Sequence, residues 1–241
     1  MSGFDNLDGI MEKFDRRFRL KKSINLFISM VIVLIGIVPM YLVFAEKAGI
    51  YALRWLTVDG TLFTMVGFFI FIIVNLYEIV TKKEMTRIPV YFIRLSCAVS
   101  EAVIMIVVFI GFCIGDPSAL DEWDELVTHA IMPVLMIISF ITNDSPIGRI
   151  KPLKRFHGTW FITIYGLLII QLFLTEVIPM SMIPYPFLNP DLLPVWMILG
   201  AILLIYIIAY TIATVLYLLN RKMSWLWFHG ITKLKNNRDR R

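Results

Sequence analysis

The sequence predicts an all-α fold, a polytopic membrane bundle of six transmembrane helices with both termini in the cytoplasm. Hydrophobic residues make up 59% of the 241 residues and charged residues 17%, whereas about a quarter of a soluble domain is charged. The mean hydropathy is +0.78. Six apolar runs approach or exceed the roughly 20 residues that a helix needs to cross the hydrocarbon core. A lipid bilayer is therefore the expected solvent for most of the chain.

The apolar runs define the predicted helices in chain order. They cover about residues 24–44, 56–80, 89–114, 126–142, 159–178 and 195–219. We accordingly divide the chain into an amphipathic cytoplasmic segment 1–23, a six-helix transmembrane domain 24–220 and a basic cytoplasmic tail 221–241. The first segment places apolar residues at steps of three and four, the pattern of a helix that lies in the membrane interface. These residues are Phe4, Leu7, Met11, Phe14 and Phe18.

The distribution of Lys and Arg predicts the orientation. Six of these residues precede the first run, three lie in the second loop, four in the fourth loop and seven in the tail. The first loop holds only Lys47 and Arg54, and the third and fifth loops hold none. Because cytoplasmic segments carry the excess of basic residues, both termini are expected inside. The net charge of +5 then indicates contact with anionic membrane lipids and no nucleic-acid partner, and the short loops are typical of a bacterial plasma membrane.

Ionisable residues inside membrane helices are costly and usually mark functional or network positions. Six occur within or near the predicted spans, namely Asp59, Glu78, Arg94, Glu101, His129 and Glu176. The predicted topology brings Asp59 and His129 to the outer half of the membrane, because the second and fourth helices both enter from outside. Thr57 and Thr61 lie at the same level, and together with Thr64 they line one helix face at i, i+4 and i+7.

Each of these residues has a structural interpretation beside the functional one. Threonine hydroxyls inside helices often bond back to their own carbonyls, and a single intramembrane His can be a hydrogen-bonded core residue. Arg94 and Glu101, two turns apart on the third helix, could form a network that ties helices together or line an ion path. The functional interpretation pairs a threonine hydroxyl with His129, because a hydroxyl needs an adjacent base to attack a carbonyl.

Metal and cofactor chemistry are not expected. The chain has three His; His157 and His229 are predicted on the inner side and His129 on the outer side, so the three cannot meet on one metal. No zinc-binding spacing and no Gly-rich phosphate loop occurs. We therefore predict no cofactor and no metal.

Four short motifs occur in an order that resembles a known family. They are 54–57 (RWLT), 129–133 (HAIMP), 185–188 (YPFL) and 216–220 (LYLLN). Together they resemble the androgen-induced and androgen-dependent TFPI-regulating protein family of integral-membrane threonine hydrolases, with this chain similar to the bacterial six-span relatives. The resemblance covers about residues 25–222. The animal members carry a second His directly before the catalytic one, which this chain lacks.

The resemblance implies a function. Members cleave fatty acid esters of hydroxy fatty acids with one Thr and one His, which fall here on Thr57 and His129. We expect a lipid ester substrate, an outer pocket between the second, third and fourth helices under the Pro-rich fifth loop, and Asp59, Thr61, Arg94 and Glu101 as supporting polar residues. The alternative is a non-enzymatic six-span protein, either a small transporter with a path through Arg94, Glu101 and Asp59 or a lipid-binding accessory factor. The sequence leaves the oligomeric state open.

Overall fold

The computed structural model describes residues 4–83, 88–111, 120–143, 150–175, 177, 179, 182–183 and 185–238. Within these ranges it describes the side chains of 19–110, 120–142, 150–185 and 187–225. This part of the chain is helical and contains no β-strand. Its long helices are α1 Phe4–Leu42, α2 Leu56–Thr81, α3 Ile88–Gly111, α4, α5 Trp160–Leu174 and α6 Val195–Arg238. Helix α4 is continuous and consists of α-helical Trp123–Leu126, π-helical Val127–Ile131 and α-helical Met132–Asn143.

Shorter helical turns join these helices. A π-helical turn, Val43–Lys47, extends α1, and a 3₁₀ turn, Gly49–Arg54, leads into α2. A second 3₁₀ segment, Pro152–Thr159, leads into α5, and a third, Pro186–Leu188, lies in the loop before α6.

The prediction of six membrane-crossing helices is confirmed in the described residues. Six helical stretches are long and apolar enough to cross a bilayer: Arg19–Lys47, Leu56–Thr81, Ile88–Ile110, Trp123–Thr142, Pro152–Leu174 and Val195–Trp225. Three of them begin three or more residues earlier than predicted, and the first of these starts at Arg19. The fourth starts at Trp123, where Asp124 and Glu125 favour a helix N-terminus, and the fifth starts at Pro152, a residue type that suits the first helical turn.

Helices α1 and α6 each continue beyond the membrane-crossing stretch. Helix α1 runs from Phe4 without a break, and α6 continues to Arg238. The segments predicted as 1–23 and 221–241 are thus largely helical extensions of the first and last spans. Their placement at the cytoplasmic face stays a prediction. Glu176, one of the ionisable candidates, lies outside the described residues.

Successive helices run in alternating directions, so the bundle has two ends. We call one the His129 end; it holds Lys47, Leu56, Val108, His129 and Tyr185. The other, the Asn220 end, holds Lys22, Glu78, Tyr91, Phe140 and Asn220. Helix α3 is the most buried of the six and packs against α2, α4, α5 and α6.

Two glycines allow α2 to approach α3 closely. A Cβ at Gly60 would collide with the side chain of Ile104, and one at Gly67 would lie 2.9 Å from the Cys97 sulfur. Small residues at such positions let helix surfaces come into direct contact. The close seam fixes the rotation of α2, and with it the direction of the threonine face that contains Thr57.

Candidate active site

A cavity of about 320 Å³ lies at the His129 end, and Thr57 and His129 both line it. Its wall combines apolar residues with a small polar group, as in most small-molecule sites. The remaining lining residues are Pro39, Met40, Val43, Lys47, Trp55, Val58, Val108, Asp124, Glu125, Thr128 and Tyr185. Helix α1 and the π-helical turn that extends it each contribute two of these residues, so the cavity is not confined to α2, α3 and α4 as expected. Tyr185 closes it from the last loop, which agrees with the expected cap. We call this space the polar cavity.

His129 is held by a carboxylate one turn earlier in the same helix. Its Nε2 lies 2.8 Å from Oε2 of Glu125, and its side chain is 11% exposed. The buried Nδ1 has no hydrogen-bond partner in the described part of the protein. A His that donates from Nε2 to a carboxylate keeps its lone pair on Nδ1. The imidazole is therefore oriented by Glu125, and its second ring nitrogen is buried without a partner among the described residues.

A π-helical turn presents His129 to the cavity. Residues Val127–Ile131 form this turn, and Val43–Lys47 of α1 form a second one on the opposite wall. Insertions of this kind widen a helix locally and are frequent at functional sites. Both turns contribute lining residues, so the distortions of two helices coincide at one cavity.

Lys47 connects the two distorted helices. Its ammonium lies 2.5 Å from Glu122, 2.9 Å from Asp124 and 3.8 Å from Glu125. Three carboxylates thus surround one cation, and one of them also holds His129. The cluster ties α1 to the start of α4 and helps to fix the position of Glu125.

The hydroxyls on the threonine face of α2 do not donate to carbonyls of their own helix. Several other threonines bond back to the carbonyl four residues earlier, for example Thr142 and Thr211. In contrast, Thr64 donates to Oε1 of Glu101 at 2.7 Å, and the Thr61 hydroxyl is buried without a partner in the described residues. Thr57 lies in the first turn of α2, where its i−4 residue is outside the helix. The back-bonding interpretation therefore does not apply to these three hydroxyls.

Tyr185 caps the helix that carries Thr57. The backbone N–H of Leu56, first residue of α2, donates to the Tyr185 hydroxyl at 2.9 Å, while Trp55 supplies no side-chain cap. Tyr165 lies beside it and donates to the Arg54 carbonyl at 2.5 Å. Burial raises the pKa of Tyr185 to about 12, so its hydroxyl is protonated at neutral pH. A residue distant in sequence thus satisfies an orphan helix N–H next to Thr57.

The other predicted polar residues lie away from the polar cavity. Arg94 donates to Asn25 at 3.3 Å and to Ser139 at 2.9 Å, and its guanidinium covers the Phe71 ring. It precedes the α3 residue of the cavity, Val108, by 14 positions, about 21 Å of helix. Arg94 is therefore not a donor to this site.

Glu101 and Thr61 lie between the two ends of the bundle. Glu101 is fully buried, and its Oε2 has no hydrogen-bond partner in the described residues. Asp59 points to another side of α2, toward Tyr165 and Tyr185. Of the predicted site residues, Thr57 and His129 line the polar cavity, but no hydrogen bond joins them, because His129 Nδ1 has no partner among the described residues.

Glu125 and Lys47 were missed from the sequence, and Tyr185 was noted only as part of the motif 185–188. Glu125 could have been found from its i, i+4 spacing to His129. The contacts of Lys47 and Tyr185 could not be predicted, since they join segments more than 70 residues apart. Among the described residues, no three His, Cys, Asp or Glu side chains converge on a position that could hold a metal ion.

Comparisons of the chain with family models, curated proteins and solved structures find no match.

Proposed function

We propose that this chain is an integral-membrane hydrolase that cleaves a lipid ester, with Thr57 as nucleophile and His129 as base. The observation that carries the proposal is the shared cavity: Thr57 and His129 line one space, and Glu125 orients the imidazole. A nucleophile, a base and a group that orients the base are the three parts of a hydrolytic site. The family resemblance of the sequence motifs assigns the same two residues.

The proposed reaction has two steps. His129 Nδ1 takes the proton of the Thr57 hydroxyl while the oxygen attacks the ester carbonyl. As the ester C–O bond breaks, the protonated imidazole gives that proton to the departing alkoxide; the alcohol leaves, and the acyl group remains on Thr57 as an acyl-threonine. Water next attacks the acyl-threonine, His129 accepts one of its protons and returns it to Thr57, and a carboxylic acid is released. Glu125 remains a carboxylate and stabilises the transient imidazolium.

Charge that develops on the carbonyl oxygen needs a hydrogen-bond donor. Lys47 and Tyr185 line the same cavity as Thr57, and both side chains carry hydrogen-bond donors. They are the donors we infer for the oxyanion. Arg94, which was expected as a supporting polar residue, does not take this role, because it donates to Ser139 away from the polar cavity.

The orientation of the chain follows from the basic residues of its segments. We infer that the His129 end faces the outside of the membrane and that the Asn220 end faces the cytoplasm. The polar cavity then opens at the level of the outer leaflet, where ester-linked lipids supply the substrate. A bacterial plasma membrane is the membrane we propose.

The test is covalent labelling of the purified full chain in detergent with a lipophilic fluorophosphonate. We expect the wild type to be labelled and both Thr57→Ala and His129→Ala to lose the label. Thr211→Ala, which removes a hydroxyl that bonds only to its own helix, is the matched control and should label normally. Size-exclusion profiles must match the wild type. An unlabelled wild type, or label that persists in Thr57→Ala, would remove the case for a threonine hydrolase.

A second candidate, a small transporter, is favoured by one observation. Glu101 and Thr61 are fully buried, and each keeps a polar atom without a partner among the described residues. Unpaired polar atoms inside a bundle are expected along a proton or ion path. Proteoliposomes with a pH-sensitive dye test this directly: proton flux that disappears in Glu101→Gln, together with an unlabelled wild type, would establish transport in place of hydrolysis.

A further inference from the structure

A second cavity, of about 360 Å³, adjoins the polar cavity and is almost entirely apolar. It lies between α5, α6 and the loop before α6. Buried Ile162 and Phe173 form the α5 wall. Ile198, Ile202 and Ile205 form the α6 wall, at the i, i+4, i+7 spacing of one helix face. We call this space the apolar cavity.

The two cavities share a wall. Leu56 and Tyr185 line the apolar cavity, and Tyr185 also lines the polar cavity beside Thr57. The hydroxyl of Tyr185 is fixed by the Leu56 N–H at 2.9 Å. A molecule that fills both spaces must therefore carry an apolar part on one side of Tyr185 and a polar part on the other. That is the chemistry of a fatty acyl chain attached to a polar head.

The apolar cavity opens sideways, toward the surface that faces lipid. Leu167, Ile170 and Leu174 belong to its lining, and the same three residues are exposed on the outside of α5. All three lie within the membrane-crossing stretch Pro152–Leu174. An acyl chain can thus enter from the bilayer without leaving an apolar environment.

We propose that the apolar cavity is the binding site for the acyl chain of an ester lipid, and that Tyr185 separates the chain from the reacting ester. The identity of the polar part as an ester rests on the proposed function, whereas the acyl site itself does not. Tyr185 then sets the distance between the chain and Thr57. The apolar cavity selects substrates by chain length and shape.

Two glycines provide a matched test. Gly166 lines the apolar cavity, and a Cβ placed there meets no atom within 4 Å. Gly200 is also in a membrane-crossing helix and equally open, but it does not line the cavity. Gly166→Trp therefore fills the cavity, and Gly200→Trp places the same side chain elsewhere on the surface.

The probe is a palmitoyl glycerol ester with a diazirine in the last third of its acyl chain, added to the full chain in phosphatidylcholine nanodiscs. After irradiation, mass spectrometry locates the adducts. We expect wild-type adducts on the lining residues of α5 and α6. Gly166→Trp should reduce them roughly tenfold or more, because several methylenes lose their burial, and Gly200→Trp should leave them unchanged. Equal yields in all three proteins, or adducts confined to other helices, would overturn the proposal.

A second pair of variants allows the same test if the first variant misfolds. Ile202→Trp fills the cavity from the α6 wall, and Leu203→Trp changes the exposed neighbour. If Gly166→Trp does not elute as a folded protein, this pair decides the outcome by the same criteria.

Fluorophosphonates with short and long alkyl chains separate this proposal from the hydrolase proposal. We expect the cavity-filling variants to keep the short-chain label and lose the long-chain one. An unlabelled wild type that still shows adducts on α5 and α6 would refute the hydrolase and support the acyl site. Labelling at Thr57 with equal long-chain labelling in every variant would refute the acyl site and leave the hydrolase in place.

Discussion

The two ends of the bundle differ in what surrounds their buried polar groups. At the Asn220 end several of these groups bond to one another: Asn220 donates to the Phe140 carbonyl at 2.9 Å and accepts from Tyr91 at 3.1 Å, and Lys22 pairs with Glu78 at 2.6 Å. Ring nitrogens that are buried without a partner among the described residues occur at both ends, at His129 Nδ1 and at His157 Nδ1, but of these two residues it is His129 that lines the polar cavity. Satisfied polar groups stabilise a membrane bundle, whereas an unsatisfied one is available for a ligand or a reaction.

The burial of α6 also differs between the two ends of the bundle. Helix α6 buries Ala209, Ala213 and Tyr217 toward the Asn220 end, but Trp196 and Leu203 toward the His129 end are exposed. Both cavities described above lie at the His129 end. The half of the bundle at the Asn220 end is thus closely packed, and the half at the His129 end contains the two cavities. Variants in the half with the cavities should change turnover, and variants in the packed half should change stability.

The largest expected effect is that of Thr57→Ala, which should lower ester hydrolysis by roughly 10⁴-fold or more, because removal of a nucleophile abolishes the covalent route. The unfolding temperature should not change, since Thr57 is only partly buried. Thr57→Ser keeps a hydroxyl and should retain part of the activity. Turnover of a chromogenic long-chain ester and thermal unfolding in detergent provide the two measurements. A large loss of stability in Thr57→Ala would show that turnover and stability are not controlled by separate halves of the bundle.

Glu125→Gln should have the next largest effect, a loss of roughly 10- to 100-fold in kcat, which is part of the 10²–10⁴ that a positioned base contributes. The neutral amide no longer stabilises the imidazolium on His129. Glu122→Gln is the control, because Glu122 pairs with the same Lys47 but is 67% exposed and does not contact His129. Equal losses of kcat in both variants would assign the effect to the Lys47 cluster in place of His129.

Much of the fold, but only part of the site, was predictable from the sequence. Six apolar runs of sufficient length determine six helices, because lipid leaves the backbone few other ways to satisfy its hydrogen bonds. Thr57 and His129, which both line the polar cavity, were predicted because polar residues stand out in an apolar run and because the family resemblance assigns the same two residues. The contribution of α1 to the cavity was missed, since Met40 and Val43 look like lipid-facing residues in the sequence. Hydropathy gives the length of a helix but not which of its apolar faces meets another helix.

In the packed half, Asn220→Leu should lower the free energy of unfolding by about 1–2 kcal/mol, within the range for hydrogen bonds between membrane helices. The change leaves the Tyr91 hydroxyl and the Phe140 carbonyl without this partner. Activity per folded molecule should stay near that of the wild type, because Asn220 lies at the opposite end from His129. Leu219→Ala, at an exposed position, is the control for a change in α6. A selective loss of kcat without a loss of stability would contradict the division into two halves.

The smallest expected effect concerns Tyr185, which joins the two cavities. Tyr185→Phe keeps the ring but removes the acceptor for the Leu56 N–H, and loss of a helix N-cap costs about 1 kcal/mol or somewhat less. Hydrogen exchange at the Leu56 amide should accelerate roughly fivefold, as expected from the same free energy, while amides in the middle of α2 stay protected. Tyr51→Phe, at an exposed tyrosine in the same end of the bundle, should leave the Leu56 amide unchanged. An unchanged Leu56 amide in Tyr185→Phe would mean that the last loop does not hold the start of α2, and Thr57 would then depend on Trp55 and the α2–α3 seam alone for its position.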